Sequence, residues 1–71
     1  MYILDLISKF NETAKDRTII SVYRKGDGLI CKAPAKSPLL RASELHSEIL
    51  SIEFDIADYV DYDVEMELII K

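Results

Sequence analysis

The 71-residue sequence has few residues that cross-link a small fold or break its secondary structure: it contains one cysteine, two glycines and two prolines. It also has no tryptophan. The single cysteine, Cys31, excludes an intramolecular disulfide and fits a reducing compartment, so we expect a cytoplasmic protein. The scarcity of glycine and proline beside 49% apolar residues excludes collagen-like and low-complexity chains. The length allows one small domain, residues 1–71.

Long apolar runs and targeting signals are missing as well. No segment approaches the roughly 18 consecutive apolar residues that span a bilayer. The first ten residues have neither the basic start nor the cleavage site of a signal peptide. We expect no membrane contact. Because no disulfide or metal cluster is recognisable, a core this small needs unusually good packing or a partner chain, and a homodimer stays open.

Catalytic motifs are also missing. Cys31 and His46 are the only thiol and imidazole, and a nucleophile pair would need them adjacent, with a third group to orient them. Ser43 with His46 lacks the strand-turn-helix elbow of a G-x-S-x-G hydrolase. We therefore expect a non-enzymatic protein without a cofactor.

The first half of the chain predicts a helix followed by a hairpin. Apolar residues from Ile3 to Ala14 recur at offsets of three and four, which is typical of an amphipathic helix. The segment 17–25 is rich in β-branched residues, and Asp27-Gly28 is a strong turn signal before a second strand. The proline-bearing segment 33–38 should leave the ladder, and Ser37 with Pro38 could start a short helix.

The last third predicts a second hairpin with two unlike faces. Apolar residues occupy the even positions from Ile52 to Ile70 except Asp58, and acids occupy most odd positions between Glu53 and Glu67. An odd-length loop would keep this parity by pairing Ile56 with Val60 or with Tyr62. The predicted architecture is α+β, in the order α-β-β-(short α)-β-β. An N-terminal helix packs on one face of a four-stranded antiparallel sheet, and the other face is acidic and exposed to solvent.

Charge is divided along the chain in the same way. The formal net charge is −4, but residues 1–43 hold eight bases and four acids, whereas residues 44–71 hold nine acids and one base. Like charges opposite each other on paired strands are destabilising, so stability alone does not explain an all-acidic face. Carboxylates about 6.6 Å apart along a strand resemble the phosphate spacing of a nucleic acid.

Three interpretations of this acidic face stay open. It could be a solvated surface neutralised by Arg24, Lys25 and Lys32, or it could dock on a basic protein. A metal site at Asp61, Asp63 and Glu65 is the third, although no calcium loop motif surrounds these residues. The predicted partner-binding residues are Glu53, Asp55, Asp58, Tyr59, Asp61, Asp63, Glu65 and Glu67.

Direct nucleic-acid binding is disfavoured. Arg24, Lys25 and Lys32 near Tyr23 could contact phosphate and bases, but the acidic C-terminal third would repel phosphate. Self-association is the alternative role, because the apolar end of the chain places Ile69 at an odd position, where two sheet edges could pair.

Four segments of the chain together resemble small accessory proteins of bacteriophages and mobile elements. They are the helix LDLISKF, the strand and turn TIISVYRKGDGLI, the segment LHSEILSIEFDI and the final strand VEMELIIK. Some proteins of this size and build are anti-CRISPR proteins. The resemblance implies a non-catalytic inhibitor in the cytoplasm of a bacterial host. It would bind a basic nucleic-acid-binding protein, such as a CRISPR effector nuclease, by carboxylate mimicry of phosphate.

Overall fold

The computed structural model describes all 71 residues, Met1–Lys71, as two short helices and a four-stranded sheet. The elements are α1 (Ile3–Ser8), α2 (Glu12–Arg17), β1 (Thr18–Arg24), β2 (Gly28–Pro34), β3 (Ile49–Tyr59) and β4 (Tyr62–Ile70). Two 3₁₀ turns, Pro38–Arg41 and Ser43–Leu45, lie between β2 and β3. The α+β class predicted from the sequence is confirmed.

The N-terminal segment forms two helices rather than one. Asn11 interrupts it with an extended backbone, and its side chain accepts a hydrogen bond from the Ala14 N–H at 2.8 Å. This is the N-cap geometry that asparagine favours, so a new helix begins where the periodicity alone predicted continuation. Ile3 is buried, and Phe10 packs against the edge of the core.

The first hairpin is confirmed, with one correction at its end. Gly26 and Gly28 take positive φ angles of 90° and 84° in the turn, a conformation that glycine adopts without strain. The strand β2 runs on through Ala33 to Pro34, which pairs with Ile19, so Pro34 belongs to the ladder that we expected it to leave, whereas Pro38 lies outside it as expected. Proline is tolerated there because β2 is an edge strand.

The connector forms 3₁₀ turns instead of the predicted short helix. The Ser37 hydroxyl caps the first turn by accepting from the Leu39 N–H at 3.2 Å, and Pro38 follows it as expected. Ala42 then takes an extended conformation that separates the two turns. Leu40 and Leu45 are buried, and both belong to the main core.

The sheet is mixed, and the expectation of a purely antiparallel sheet is wrong. The strand order is β2-β1-β4-β3, and β1 and β4 are parallel neighbours at the centre. The expectation that Ile69 lies at a sheet edge is therefore wrong, because β4 has a strand on either side. The connector carries the chain from the β2 edge to the opposite edge, so β4 returns between β3 and β1 and runs in the direction of β1. The residues from Thr18 to Val22 are all buried, as expected for a central strand.

The second hairpin keeps the predicted parity in its regular part but has neither predicted register. Ile56 pairs with Val64, and Tyr59 pairs with Tyr62 across a tight turn. The register shifts between Ile56 and Tyr59, because β3 has one more residue than β4 in this stretch. Between the two register shifts of this pair, residues 52–56 pair with residues 64–68, so even positions share one face and odd positions the other. Beyond the shifts, Ile49 pairs with Ile70 and Tyr59 with Tyr62, and the parity is lost.

The helices cover only part of the apolar face of the sheet. Met66, Leu68 and Ile70 of β4 are fully buried with Ile20 and Val22 of β1. The neighbouring apolar row of β3, Ile52, Phe54 and Ile56, is exposed. The predicted packing of the N-terminal helix on the apolar face therefore holds for the two central strands and does not extend to β3.

Candidate functional site

The acidic face is defined here as Glu53 and Asp55 of β3 with Asp63, Glu65 and Glu67 of β4. The register places Glu53 directly opposite Glu67 and Asp55 directly opposite Glu65. The predicted pairing of acid with acid is therefore present, with different partners. The other three predicted residues lie at the hairpin end: Asp58 in the irregular stretch of β3, Tyr59 at the end of β3, and Asp61 in the turn.

Residues of β1 and β2 complete the same face of the sheet. Parallel pairing sets Ile19 beside Glu65, Ser21 beside Glu67 and Tyr23 beside Ile69. Lys32 of β2 pairs with Ser21 and so extends the face to the opposite edge. Ile19 and Ser21 are buried on this face, and Ile19 lies outside the main hydrophobic core.

The hairpin end bends over the acidic face. The Lys32 ammonium lies 4.9 Å from the centre of the Tyr59 ring, although β2 and β3 are the two outer strands of the sheet. Four strands spaced about 4.8 Å apart would hold these edges roughly 14 Å apart in a flat sheet. The acidic face is therefore concave, and the side chains of Tyr59 and Lys32 close one end of it.

One predicted site residue, Asp63, is already paired within the chain. The Arg17 guanidinium donates two hydrogen bonds to its carboxylate, at 2.7 and 3.0 Å. These bonds and the charge of Arg17 hold the pKa of Asp63 below its ordinary value, and Asp63 in turn raises the pKa of Arg17. Both side chains are about half exposed, so this ion pair is a surface feature at the end of the face.

A second predicted residue, Glu65, is also neutralised. Its carboxylate lies 3.5 Å from the Lys32 ammonium and accepts a hydrogen bond from the Ser21 hydroxyl at 3.2 Å. Its side chain is only 17% exposed, which leaves little of it open to a partner. The pKa of Lys32 is raised, first by its interaction with the Tyr59 side chain and then by the charge of Glu65.

Three carboxylates of the acidic face, those of Glu53, Asp55 and Glu67, have no cation within 4 Å. We call them the free carboxylates. Asp55 makes one hydrogen bond, accepting from the N–H of Ile56 at 2.8 Å. Glu53 and Glu67 line a shallow pocket together with Tyr23, Ser51 and Ile69. This pocket combines two carboxylates with an aromatic ring, which suits a guanidinium or ammonium group.

The sequence only partly identified the internal cations. Lys32 neutralises the face as the solvated-surface interpretation proposed, but Arg24 instead donates to the backbone carbonyls of Glu44 and Lys71. Lys25 forms no ion pair. Arg17 was missed because it lies 46 residues from Asp63, and only the parallel pairing of β1 with β4 brings the two together.

The remaining chemically active side chains lie elsewhere. His46 stacks on the ring of Tyr2, with the ring centres 4.5 Å apart, and no hydrogen bond joins it to Cys31. Burial raises the pKa of the Cys31 thiol, and the charge of Glu44 adds to this effect. No group of three His, Cys, Asp or Glu side chains is arranged to hold a metal ion.

Comparison of the chain with protein-family models, curated proteins and solved structures finds no match. The resemblance to accessory proteins of bacteriophages therefore stays a prediction. None of the helices is long and apolar enough to cross a membrane.

Proposed function

We propose that the protein is a non-enzymatic binding protein whose concave acidic face accepts a basic segment of a nucleic-acid-binding protein. The observation that carries this proposal is that only some of the carboxylates are paired with cations of the chain. Asp63 and Glu65 have cations of their own, whereas Glu53, Asp55 and Glu67 have none. A solvent-exposed face without a binding role would be more stable with cations or neutral side chains at these three positions.

The geometry of the free carboxylates suits cationic side chains on an extended segment. Glu53 and Asp55 are two residues apart on one strand, about 6.6 Å, and Glu67 lies across from Glu53 at about 5 Å. A partner's lysine or arginine could contact Glu53 and Glu67 together and lie against Tyr23. Because the face is concave, the fit is to a protruding strand or loop rather than to a flat surface.

Binding of this kind would compete with nucleic acid for the same basic residues. The protein would then act as an inhibitor, with association steered by charge and weakened by salt. A CRISPR effector nuclease, the target that the resemblance implies, is one member of this class of partner.

The experiment compares two triple variants with the same change in net charge. The test variant is Glu53→Gln/Asp55→Asn/Glu67→Gln, which removes the free carboxylates. The control is Glu12→Gln/Asp27→Asn/Glu48→Gln, which removes three exposed acids outside the acidic face. Each protein is used to capture partners from a bacterial lysate cleared of nucleic acid. Each purified partner is then assayed for displacement from labelled DNA or RNA by fluorescence anisotropy.

We expect the unmodified protein and the control variant to displace nucleic acid equally well. The test variant should compete about tenfold less strongly, because three exposed charge pairs contribute about 0.5 kcal/mol each. Equal losses in both variants would mean that only net charge matters. Full activity of the test variant, or the absence of any captured nucleic-acid-binding protein, would overturn the proposal.

A further inference from the structure

The outer edge of the sheet, formed by β3, has no strand beside it. β3 pairs only with β4, and the backbone of the N-terminus closes only its beginning, where the Ile49 N–H donates to the Met1 carbonyl at 2.8 Å. The open edge from Leu50 to Tyr59 is roughly 33 Å long. Open edges of this length are usually blocked, because they pair readily with other chains.

The regular part of this edge is the segment 52–56. The register with β4 shifts between Ile49 and Ser51 and again between Ile56 and Tyr59, so the strand is regular only between these two points. The N–H of Ile56 donates to the side chain of Asp55. Successive N–H groups alternate in direction along a strand, so those of Ile52 and Phe54 point to the same side as that of Ile56 and are the ones open to a partner.

Two rows of side chains flank these backbone groups. The row on the helix side is apolar, and Phe54 and Ile56 keep 67% and 87% of their surface exposed. The row on the acidic face consists of Glu53 and Asp55, which have no cation. A strand added here would meet apolar groups on one face and carboxylates on the other.

These acids argue against a second copy of the chain as the occupant. Antiparallel pairing of two β3 edges about Phe54 sets Glu53 opposite Asp55 of the other copy. Shifting the register by two residues in either direction sets Glu53 opposite Glu53, or Asp55 opposite Asp55. All three of these registers, which pair the regular segments 52–56 of the two copies, therefore oppose like charges, which is destabilising. A strand with basic residues at these positions meets opposite charges instead.

We propose that the segment 52–56 of β3 binds an extended segment of the partner in which apolar and basic residues alternate. This segment adds to the sheet as a fifth strand. Its apolar side chains cover Ile52, Phe54 and Ile56, and its basic side chains contact Glu53 and Asp55. The inference rests on the proposed function and states which kind of basic segment is bound.

The experiment uses a dye-labelled peptide of alternating valine and lysine, with binding measured by fluorescence anisotropy at low salt. A peptide of the same composition with the valines grouped at one end and the lysines at the other is the matched control. We expect the alternating peptide to bind at least about tenfold more tightly, because only it matches both rows of β3. Equal affinities would overturn edge pairing.

Backbone pairing is tested with two N-methylated forms of the alternating peptide. In one form every valine is N-methylated, and in the other every lysine is, so each loses the N–H groups on one side of the strand. We expect one form to lose binding and the other to keep it. If both forms bound like the parent peptide, the contact would not involve the strand edge.

Protein variants separate this inference from the proposed function. Phe54→Ser/Ile56→Ser should abolish the preference for the alternating peptide, whereas Leu29→Ser/Ile30→Ser, on the exposed opposite edge, should preserve it. Glu53→Lys/Asp55→Lys should transfer the preference to a peptide of valine and glutamate. Glu53→Gln/Asp55→Asn/Glu67→Gln could also weaken the binding of both lysine peptides equally. That result would refute strand addition at the β3 edge but would still support binding by the acidic face.

Sedimentation of the protein at several concentrations tests the competing occupant. We expect a monomer. A dimer that Phe54→Ser/Ile56→Ser dissociates would show that a second copy covers this edge, and it would overturn the inference.

Discussion

Two isoleucines of the same hairpin provide the sharpest test of the fold. Ile56 and Ile70 both occupy even positions and look equivalent in the sequence, yet Ile56 is 87% exposed and Ile70 is fully buried. Ile70→Ala should destabilise the protein by about 2–5 kcal/mol, from lost transfer free energy and the cavity left behind. Ile56→Ala should cost at most about 1 kcal/mol, through lower β propensity.

The difference is large against the total stability of so small a domain. At about 0.05–0.15 kcal/mol per residue, 71 residues correspond to a free energy of unfolding of about 4–11 kcal/mol. Ile70→Ala would therefore remove a large share of it and lower the Tm by about 10 °C or more. Urea unfolding followed by far-ultraviolet circular dichroism measures both variants against the unmodified protein.

The measurement is repeated at two protein concentrations, because a dimer would make the unfolding midpoint depend on concentration. Equal destabilisation by the two substitutions, at both concentrations, would refute the division of the hairpin into a covered strand and an uncovered one.

Three further predictions concern a helix cap, a turn and an ion pair. Asn11→Ala should cost about 1 kcal/mol in urea unfolding, because α2 loses its N-cap, and no change would contradict the break between α1 and α2. Gly28→Ala should cost about 1–2 kcal/mol from backbone strain alone, since no atom lies within 4 Å of the added methyl group; a neutral result would place Gly28 at negative φ. The pKa of Asp63 is lowered in the folded state, so Asp63 stabilises the protein above the unfolded-state pKa near 3.8, and this contribution is lost as the pH falls through the folded-state pKa. Thermal unfolding between pH 5 and roughly pH 2 should therefore depend less on pH in Asp63→Asn, and identical profiles would exclude the ion pair with Arg17.

Local patterns predicted the elements well, because their causes are local. The turn at Asp27-Gly28, the cap at Ser37 and the alternation after Ile52 depend on neighbouring residues, and each feature is present. The strand order depends on contacts far apart in the chain, so the sequence did not specify it. One signal was available: β1 has no charged residue from Thr18 to Tyr23, which is typical of a central strand buried on both faces.

The candidate site was predictable as a row of acids but not as a set of pairs. Parity placed the carboxylates on one face regardless of register, since any even shift preserves it. Which carboxylates are neutralised depends on Arg17 and Lys32, and these two reach the face only through the mixed sheet and its curvature. The distinction between paired and free carboxylates therefore needed the three-dimensional structure.

The most direct test of the concave acidic face is a titration of the ¹⁵N-labelled protein with a lysine-rich peptide, followed by two-dimensional NMR. We expect the largest amide shifts on residues 51–55 of β3 and 65–69 of β4, and we expect added salt to reverse them. Shifts spread evenly over all exposed acids, or centred on α1 and the turn at Asp27, would contradict this prediction.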